Sequence, residues 1–233
     1  MNRLDAQREF LSIIKSIKAY IEAEKAYGIS EVLMPDASPV KMKRTNKASK
    51  LEMLSGIRSE VFNCKKCNLY KTRRNVVFGD GVPNAKLLLV GEAPGFEEDL
   101  QGLPFVGQAG KLLTRIIESI RLSRDNVYIC NVLKCRPPGN RSPLAEEISV
   151  CKEYLLSQIE IISPKVILCL GKYAASALLG TDEPITKIRG KDYDYKGIRL
   201  IPTFHPAYLL RNPNSKKYVW EDLQKIKRIL SEG

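Results

Sequence analysis

Short runs of apolar residues alternate with segments of helical period through most of the chain. Three continuous apolar runs and a weaker fourth cover residues 87–90, 127–130, 166–170 and 199–203. Segments with helical spacing lie between or after them, at about 108–121, 143–162, 171–179 and 217–231. Buried strands separated by helices are typical of a parallel sheet covered on both faces. The pattern therefore predicts a three-layer α/β fold with a central four-stranded, mainly parallel sheet.

Residues 1–55 differ from the rest of the chain and are predicted to form an extension. Residues 3–27 carry apolar side chains at helical spacing with charges between them, which predicts an amphipathic helix. Residues 35–50 contain prolines and a run of basic residues, which indicates a basic linker. A second short helix is expected over 49–62. We accordingly divide the chain into an N-terminal extension, 1–55, and a main domain, 56–233.

The charge and hydropathy of the chain favour polyanionic partners and argue against a membrane-spanning segment. The chain has a formal net charge of +12, which favours polyanions such as nucleic acid, an anionic membrane surface or an acidic protein. No uncharged apolar stretch reaches the ~18 residues of a membrane-spanning helix. Charged residues also interrupt the apolar positions near the N-terminus, which argues against a signal peptide. We therefore expect a cytoplasmic protein without membrane association, in which structural disulfides are disfavoured.

Four of the six cysteines form a candidate metal site. They are one C-x-x-C pair and two scattered residues, namely Cys64, Cys67, Cys135 and Cys151. Four thiolates can hold a tetrahedral zinc ion or a [4Fe–4S] cluster. A single close pair is more typical of a cluster, but the spacing leaves zinc open. Cys130 and Cys169 lie inside apolar runs and are interpreted as small buried side chains.

Polar residues that are suited to catalysis or ligand binding follow the ends of the predicted strands. Glu92 lies in the loop Gly91–Gly95 after the first strand, and Asn131 follows the second. His205, which is the only histidine of the chain, follows the fourth. Ligands of open α/β sheets bind at the carboxyl ends of the strands, so we expect these residues to converge on one site. A neutral imidazole there could stabilise a developing oxyanion.

Two further segments suggest nucleic-acid contacts. Phe105 lies in a glycine- and proline-rich loop, where it is either a stacking platform for a base or an anchor that packs in the core. Leu209, Leu210 and Arg211 follow His205. An exposed leucine pair beside an arginine has the chemistry of a minor-groove wedge with a phosphate contact. The alternative is that both leucines are buried in a helical turn.

Several motifs together resemble the uracil-DNA glycosylase superfamily, and within it family 4, the iron–sulfur branch. The resemblance covers roughly residues 60–231. Its motifs are Cys64-x-x-Cys67, Gly91-Glu92-Ala93-Pro94-Gly95, Gly102-x-Pro104-Phe105-x-Gly107-x-x-Gly110, Asn131-Val132-x-Lys134-Cys135-Arg136-Pro137-Pro138 and His205-Pro206. It implies a fold of that superfamily and a [4Fe–4S] cluster on the four cysteines, with a structural role.

The same resemblance implies roles for individual residues. Phe105 would stack on a flipped-out uracil, Asn131 would read the edge of the base, and His205 would stabilise the departing uracil anion. One departure concerns the loop after the first strand. The best-known branch of the superfamily carries an aspartate where Ala93 stands and a tyrosine where Gly95 stands. Water is then expected to be held by the main chain at Ala93 and by Glu92, which would also hinder thymine.

The resemblance implies a monofunctional uracil-DNA glycosylase that acts in base excision repair. It would hydrolyse the glycosidic bond of deoxyuridine in single- or double-stranded DNA and leave an abasic site. We expect a nucleoid-associated monomer whose extension, 1–55, could bind a replication or repair protein. A non-catalytic DNA-binding iron–sulfur protein is the main alternative. A related branch that traps DNA covalently needs an additional histidine-bearing loop, which this chain lacks.

Overall fold

The computed structural model describes residues 49–232. The amphipathic helix expected at 3–27 and most of the basic linker lie outside the described residues. The strands are β1 (Asp80–Gly81), β2 (Leu87–Gly91), β3 (Tyr128–Asn131), β4 (Val166–Leu170), β5 (Tyr193–Tyr195) and β6 (Ile198–Thr203). The α-helices are α1 (Lys50–Phe62), α2 (Phe96–Gln101), α3 (Gln108–Glu118), α4 (Ala145–Ile162), α5 (Lys172–Leu179), α6 (Ile185–Ile188), α7 (Pro206–Arg211) and α8 (Lys216–Ser231).

The strands form one sheet in the order β1-β3-β2-β4-β6-β5. The four predicted strands, β3, β2, β4 and β6, run parallel to one another at its centre. The three-layer α/β prediction is therefore confirmed, but the sheet has six strands rather than four. The two additional strands, β1 and β5, pair antiparallel at the edges. They have two and three residues and no buried apolar run, so they carried no periodic signal.

Apolar side chains on alternate positions of the central strands fill two separate cores. Leu88 and Val90 of β2 point to the face covered by α1, α4 and α5, whereas Leu87 and Leu89 point to the face covered by α3 and α8. Each strand residue of β2 is buried on its own face. Burial on both faces explains the continuous apolar runs, because neither set of alternate positions faces water.

Helix α1 crosses the boundary predicted at residue 55. It begins at a capping box, in which the Ser49 hydroxyl accepts from the Glu52 N–H at 3.2 Å and the Glu52 carboxylate accepts from the Ser49 N–H at 2.7 Å. Leu54 and Val61 pack in the core on either side of the boundary. The packed domain therefore begins before residue 56. None of the helices within residues 49–232 combines the length and apolar character needed to cross a membrane.

Candidate active site

The carboxyl ends of the parallel strands surround a cavity of about 460 Å³. The loop after β2, the end of β3 and the segment after β6 all contribute to it, as the strand-end pattern predicts. The sequence-predicted residues that line it are Glu92, Ala93, Gly95, Phe105, Asn131, His205 and Arg211. The four candidate cysteines line a different cavity. The fold thus brings the predicted catalytic and base-contacting residues together and separates them from the candidate metal site.

The chain under the cavity is packed so closely that a Cβ at either of two glycines would overlap its neighbours. A Cβ on Gly91 would lie 2.3 Å from Asn131 Oδ1 and 2.5 Å from Phe105 Cζ. A Cβ on Gly110 would lie 1.9 Å from the Phe105 carbonyl oxygen. Non-bonded contacts of a Cβ are essentially never this short, so the two glycines leave room for Phe105 and Asn131 beside them.

Phe105 both lines the cavity and packs in the core beneath it. Its φ is 53°, in the left-handed region that non-glycine residues rarely adopt. Arg124 stabilises this turn by donating to the carbonyl oxygens of Pro104 at 2.7 Å and Phe105 at 3.1 Å. The core-anchor interpretation of Phe105 is therefore confirmed, and the residue also lines the cavity, where stacking on a base stays a prediction.

Asn131 lines the cavity and carries a buried polar atom without a hydrogen-bond partner. Its exposed fraction is 1%, and its Oδ1 has no hydrogen-bond partner among residues 49–232. A buried acceptor without a partner costs about 1–3 kcal/mol, so native structures retain few of them. A ligand that donates a hydrogen bond at this point would remove the cost.

His205 is held in one tautomer. Its Nδ1 accepts from the Ala207 N–H at 3.1 Å, so in the neutral ring the proton lies on Nε2. Burial first, and then the charge of Arg211, lower the pKa of His205 to about 4, against a smaller opposing effect of Glu98. At neutral pH His205 is therefore an uncharged Nε2–H donor. Its ring centroid lies 5.7 Å from that of Phe105.

Glu92 is the second group whose protonation the cavity changes. Burial raises the pKa of its carboxyl to about 7. The Glu92 backbone is fixed, because its carbonyl oxygen accepts from the Leu133 N–H at 3.0 Å. A side chain poised between its acid and base forms near neutral pH is suited to proton transfer or to binding water.

Glu98 holds two loops of the cavity together, a role that was not predicted from the sequence. Its carboxylate accepts from the N–H groups of Gly95 at 3.1 Å, Val106 at 2.9 Å and Gly107 at 3.0 Å. It thereby ties the loop after β2 to the loop that carries Phe105. The available signal was a glutamate three residues into a helix after Gly95, a position where carboxylates bind free backbone N–H groups.

Only one leucine of the pair after His205 is exposed, so the prediction that both leucines contact DNA is wrong for Leu209. Leu209 is fully buried in the core against α3 and α8, whereas Leu210 is 45% exposed and Arg211 is exposed beside the cavity. Consecutive residues of a helix point about 100° apart, so α7 cannot present both leucines to the same partner. Leu209 therefore anchors α7 in the core and is not a candidate DNA contact.

The four candidate cysteines line one small cavity between α1 and α4. Three of their sulfurs accept N–H hydrogen bonds: Cys64 from Lys66 at 3.5 Å, Cys135 from Arg73 at 3.2 Å and Cys151 from Lys134 at 3.3 Å. Within residues 49–232, no three side chains converge closely enough to ligate one ion. Cys130 and Cys169 are fully buried in β3 and β4, which confirms their interpretation as small buried side chains.

Comparison with known proteins agrees with the geometry. Residues 78–227 match the family model described as the Uracil DNA glycosylase superfamily. The chain is 49% identical over 188 residues to a protein of Sulfurisphaera tokodaii named Type-4 uracil-DNA glycosylase, which spans 77% of this chain and 86% of that protein. Proteins with the same name from Archaeoglobus fulgidus and Thermotoga maritima are 45% and 46% identical, over 76% and 78% of this chain and 92% and 96% of their own lengths.

Proposed function

The chain belongs to the uracil-DNA glycosylase superfamily, and we propose that it hydrolyses the bond between uracil and deoxyribose in DNA. The product would be free uracil and an abasic site, as at the start of base excision repair. The observation that carries the proposal is the unsatisfied Oδ1 of Asn131, a residue that lines the cavity. Uracil carries an N3–H donor at its pairing edge, where cytosine carries an acceptor. Asn131 would accept from N3–H and donate to O4, which cytosine cannot match.

The remaining cavity residues complete a pocket for one extrahelical base. Duplex stacking hides the glycosidic bond, so the nucleotide must leave the stack before it can react. Phe105 would then stack on the uracil ring. Ala93 and Gly95 would surround the base and the sugar with main-chain groups, because neither carries a bulky side chain.

His205 and Glu92 would act on opposite sides of the breaking bond. Departure of uracil places negative charge on the base and oxocarbenium character on the sugar. The Nε2–H of neutral His205 would donate a hydrogen bond to the uracil oxygen as that charge develops. Because the ring is already neutral, it can act as this donor without first losing a proton. Glu92, with the main chain at Ala93, would orient the water that attacks the sugar. No lysine lines the cavity among the described residues, which supports a monofunctional reaction without a Schiff base.

Leu210 and Arg211 are the proposed DNA contacts beside the cavity. Leu210 would fill the gap that the flipped nucleotide leaves, and Arg211 would contact a backbone phosphate. Leu210→Ala should reduce excision from double-stranded DNA more than from single-stranded DNA, because only a duplex needs the gap filled. Leu51→Ala, which shortens an exposed leucine on α1, is the matched control. Equal losses on both substrates would contradict the wedge.

We propose that Cys64, Cys67, Cys135 and Cys151 hold a [4Fe–4S] cluster. Their thiol chemistry and the N–H groups directed at three of the sulfurs fit such a group. One zinc ion with Zn–S bonds of about 2.3 Å would require all four sulfurs to converge on a point. One close C-x-x-C pair with two scattered cysteines is more typical of a polynuclear cluster. When bound, the cluster would cross-link the segments that carry the cysteines.

Iron analysis and visible absorbance test the cluster. The purified protein should be brown and should contain iron, and Cys135→Ala should lose both properties. Cys169→Ala, which removes a fully buried thiol from β4, should keep them. A colourless wild-type protein that contains zinc would contradict the cluster.

The proposed activity is tested by incubating the protein with an oligonucleotide that contains one deoxyuridine. Free uracil and an alkali-sensitive abasic site should form, whereas matched oligonucleotides with thymine or cytosine at that position should remain intact. DNA binding without release of uracil would favour the non-catalytic alternative. Glu92→Gln tests the two proposed roles of Glu92, which are to orient the attacking water and to hinder thymine. Full activity together with full preference for uracil over thymine would contradict both roles.

A further inference from the structure

Lys134 is a fully buried lysine between the cavity and the cysteines. Its exposed fraction is 1%, and it follows Asn131 by three residues and immediately precedes Cys135. Lysine is almost never fully buried unless its charge is paired. Burial of an ammonium group costs free energy, so the contacts of Lys134 must compensate for that cost.

The contacts of Lys134 lead in two directions. Its Nζ donates to the Asn131 carbonyl oxygen at 2.8 Å and to Gln158 Oε1 at 2.5 Å. Its own backbone N–H donates to Cys151 Sγ at 3.3 Å. One residue therefore binds the main chain of the proposed base-reading residue and the sulfur of a candidate cluster ligand.

Gln158 extends this network into the core. It is fully buried on α4, and its Nε2 donates to the Phe78 carbonyl oxygen at 3.0 Å and to the Tyr128 hydroxyl at 3.3 Å. The amide orientation is thereby determined, and its Oε1 faces Lys134. Both acceptors of the Lys134 ammonium are uncharged, and no carboxylate within residues 49–232 lies within 4.0 Å of it.

The chain around the Asn131 carbonyl is held by backbone hydrogen bonds as well as by Lys134. The N–H groups of Val132 and Leu133, which follow Asn131, donate to the Gly91 and Glu92 carbonyl oxygens of the neighbouring segment. The chain at the end of β3 is thus held to β2 by its donors and to Lys134 by the Asn131 acceptor. A displacement of this carbonyl would move the Asn131 side chain, whose Oδ1 is already only 2.3 Å from the point where a Gly91 Cβ would lie.

We propose that Lys134 is a positioning residue for uracil recognition, which holds the Asn131 main chain and ties it to the cysteine-lined cavity. The inference rests on the proposed function, since it assumes that Asn131 reads uracil. Lys134 does not line the cavity and touches no reacting atom. Its effect should therefore appear in the affinity for the base rather than in the chemical step. Thiolates around a bound cluster would also supply the negative charge that its neighbourhood lacks.

The test is Lys134→Met, which keeps the length and apolar stem of the side chain but removes its charge and donors. Calorimetry should show that the affinity for free uracil falls by roughly tenfold or more, because a hydrogen bond to a charged donor is lost. The KM for deoxyuridine-containing DNA should rise more than kcat falls. Lys134→Arg, which keeps a charged donor, should restore part of the affinity. Bound iron should also be lost faster from Lys134→Met than from the wild type.

Lys187→Met is the matched control, because it makes the same change at an exposed lysine of α6. Unchanged uracil affinity in folded Lys134→Met would overturn the inference. A wild-type protein that neither binds uracil nor releases it from DNA would instead overturn the proposed function, so the two failures are distinguishable.

Gln158→Leu provides a second test if Lys134→Met does not fold. It removes one acceptor of the ammonium without changing Lys134 or Asn131. Uracil affinity should fall in the same direction but by less, since the bond to the Asn131 carbonyl remains. Uracil affinity equal to that of the wild type in folded Gln158→Leu would contradict a network that acts on Asn131.

Discussion

The cavity has two walls that are built on different physical principles. The packed wall, formed by Phe105 and Asn131 against Gly91, is held by close contacts and contains one unsatisfied acceptor. The titratable wall, formed by Glu92 and His205, contains two groups whose pKa values both move because of burial. The first wall is suited to selecting a base by shape and hydrogen bonding. The second wall is suited to stabilising charge and binding water, so substitutions in the two walls should have different kinetic signatures.

The largest expected effect lies in the titratable wall. His205→Leu removes the Nε2–H that we assign to the departing uracil, and loss of one preorganised donor to an oxyanion lowers kcat by about 10²–10³-fold. Single-turnover kinetics with a deoxyuridine oligonucleotide measure the change, and calorimetry shows whether DNA is still bound. A variant with wild-type kcat would remove His205 from the reaction and place catalysis elsewhere.

The packed wall predicts a different signature for Asn131→Leu. Loss of the contacts to the uracil edge should lower kcat/KM by about 10–10²-fold. The same change removes a buried polar atom without a partner, so the free energy of unfolding should rise by about 1 kcal/mol. Chemical denaturation of both proteins checks the second expectation. A variant that loses stability together with activity would mean that Asn131 supports the fold rather than a ligand.

Gly91→Ala should disturb the packed wall through its backbone. The added Cβ would contact both Asn131 and Phe105, and overpacking of this kind costs about 1–3 kcal/mol. Gly56→Ala is the matched control, because its Cβ would meet nothing within 4 Å and helix α1 should gain about 0.5–1 kcal/mol. Thermal unfolding of the two variants should therefore shift in opposite directions. A Gly91→Ala protein as stable as the wild type would show that the wall can relax.

The two walls were not equally visible in the sequence. The apolar runs predicted the four parallel strands, and the strand-end rule placed Glu92, Asn131 and His205 at one edge. Glu98 was missed because its three backbone donors come from two loops that only the folded chain brings together. The burial of Leu209 was missed because a two-residue apolar pair does not show which side faces the core. Local pattern thus predicts which residues meet, whereas the contacts that hold them depend on tertiary packing.

The smallest expected effect is a pair of opposing pH dependences in the titratable wall. The pKa of Glu92 is raised to about 7 in the folded state, so its contribution to stability is present at low pH and is lost as pH rises from about 4.5 to 7. The pKa of His205 is lowered to about 4, so its contribution is present above about 6.5 and is lost as pH falls toward 4. Between pH 4.5 and 6.5 the two slopes oppose each other.

Single substitutions should separate these slopes in the melting temperature. Glu92→Gln leaves the His205 slope, so stability should rise more steeply between pH 4.5 and 6.5 than in the wild type. His205→Leu leaves the Glu92 slope, so stability should fall over the same interval. Because both side chains are partly exposed, solvent reduces both slopes. Parallel curves for both variants and the wild type would mean that neither group changes its pKa on folding.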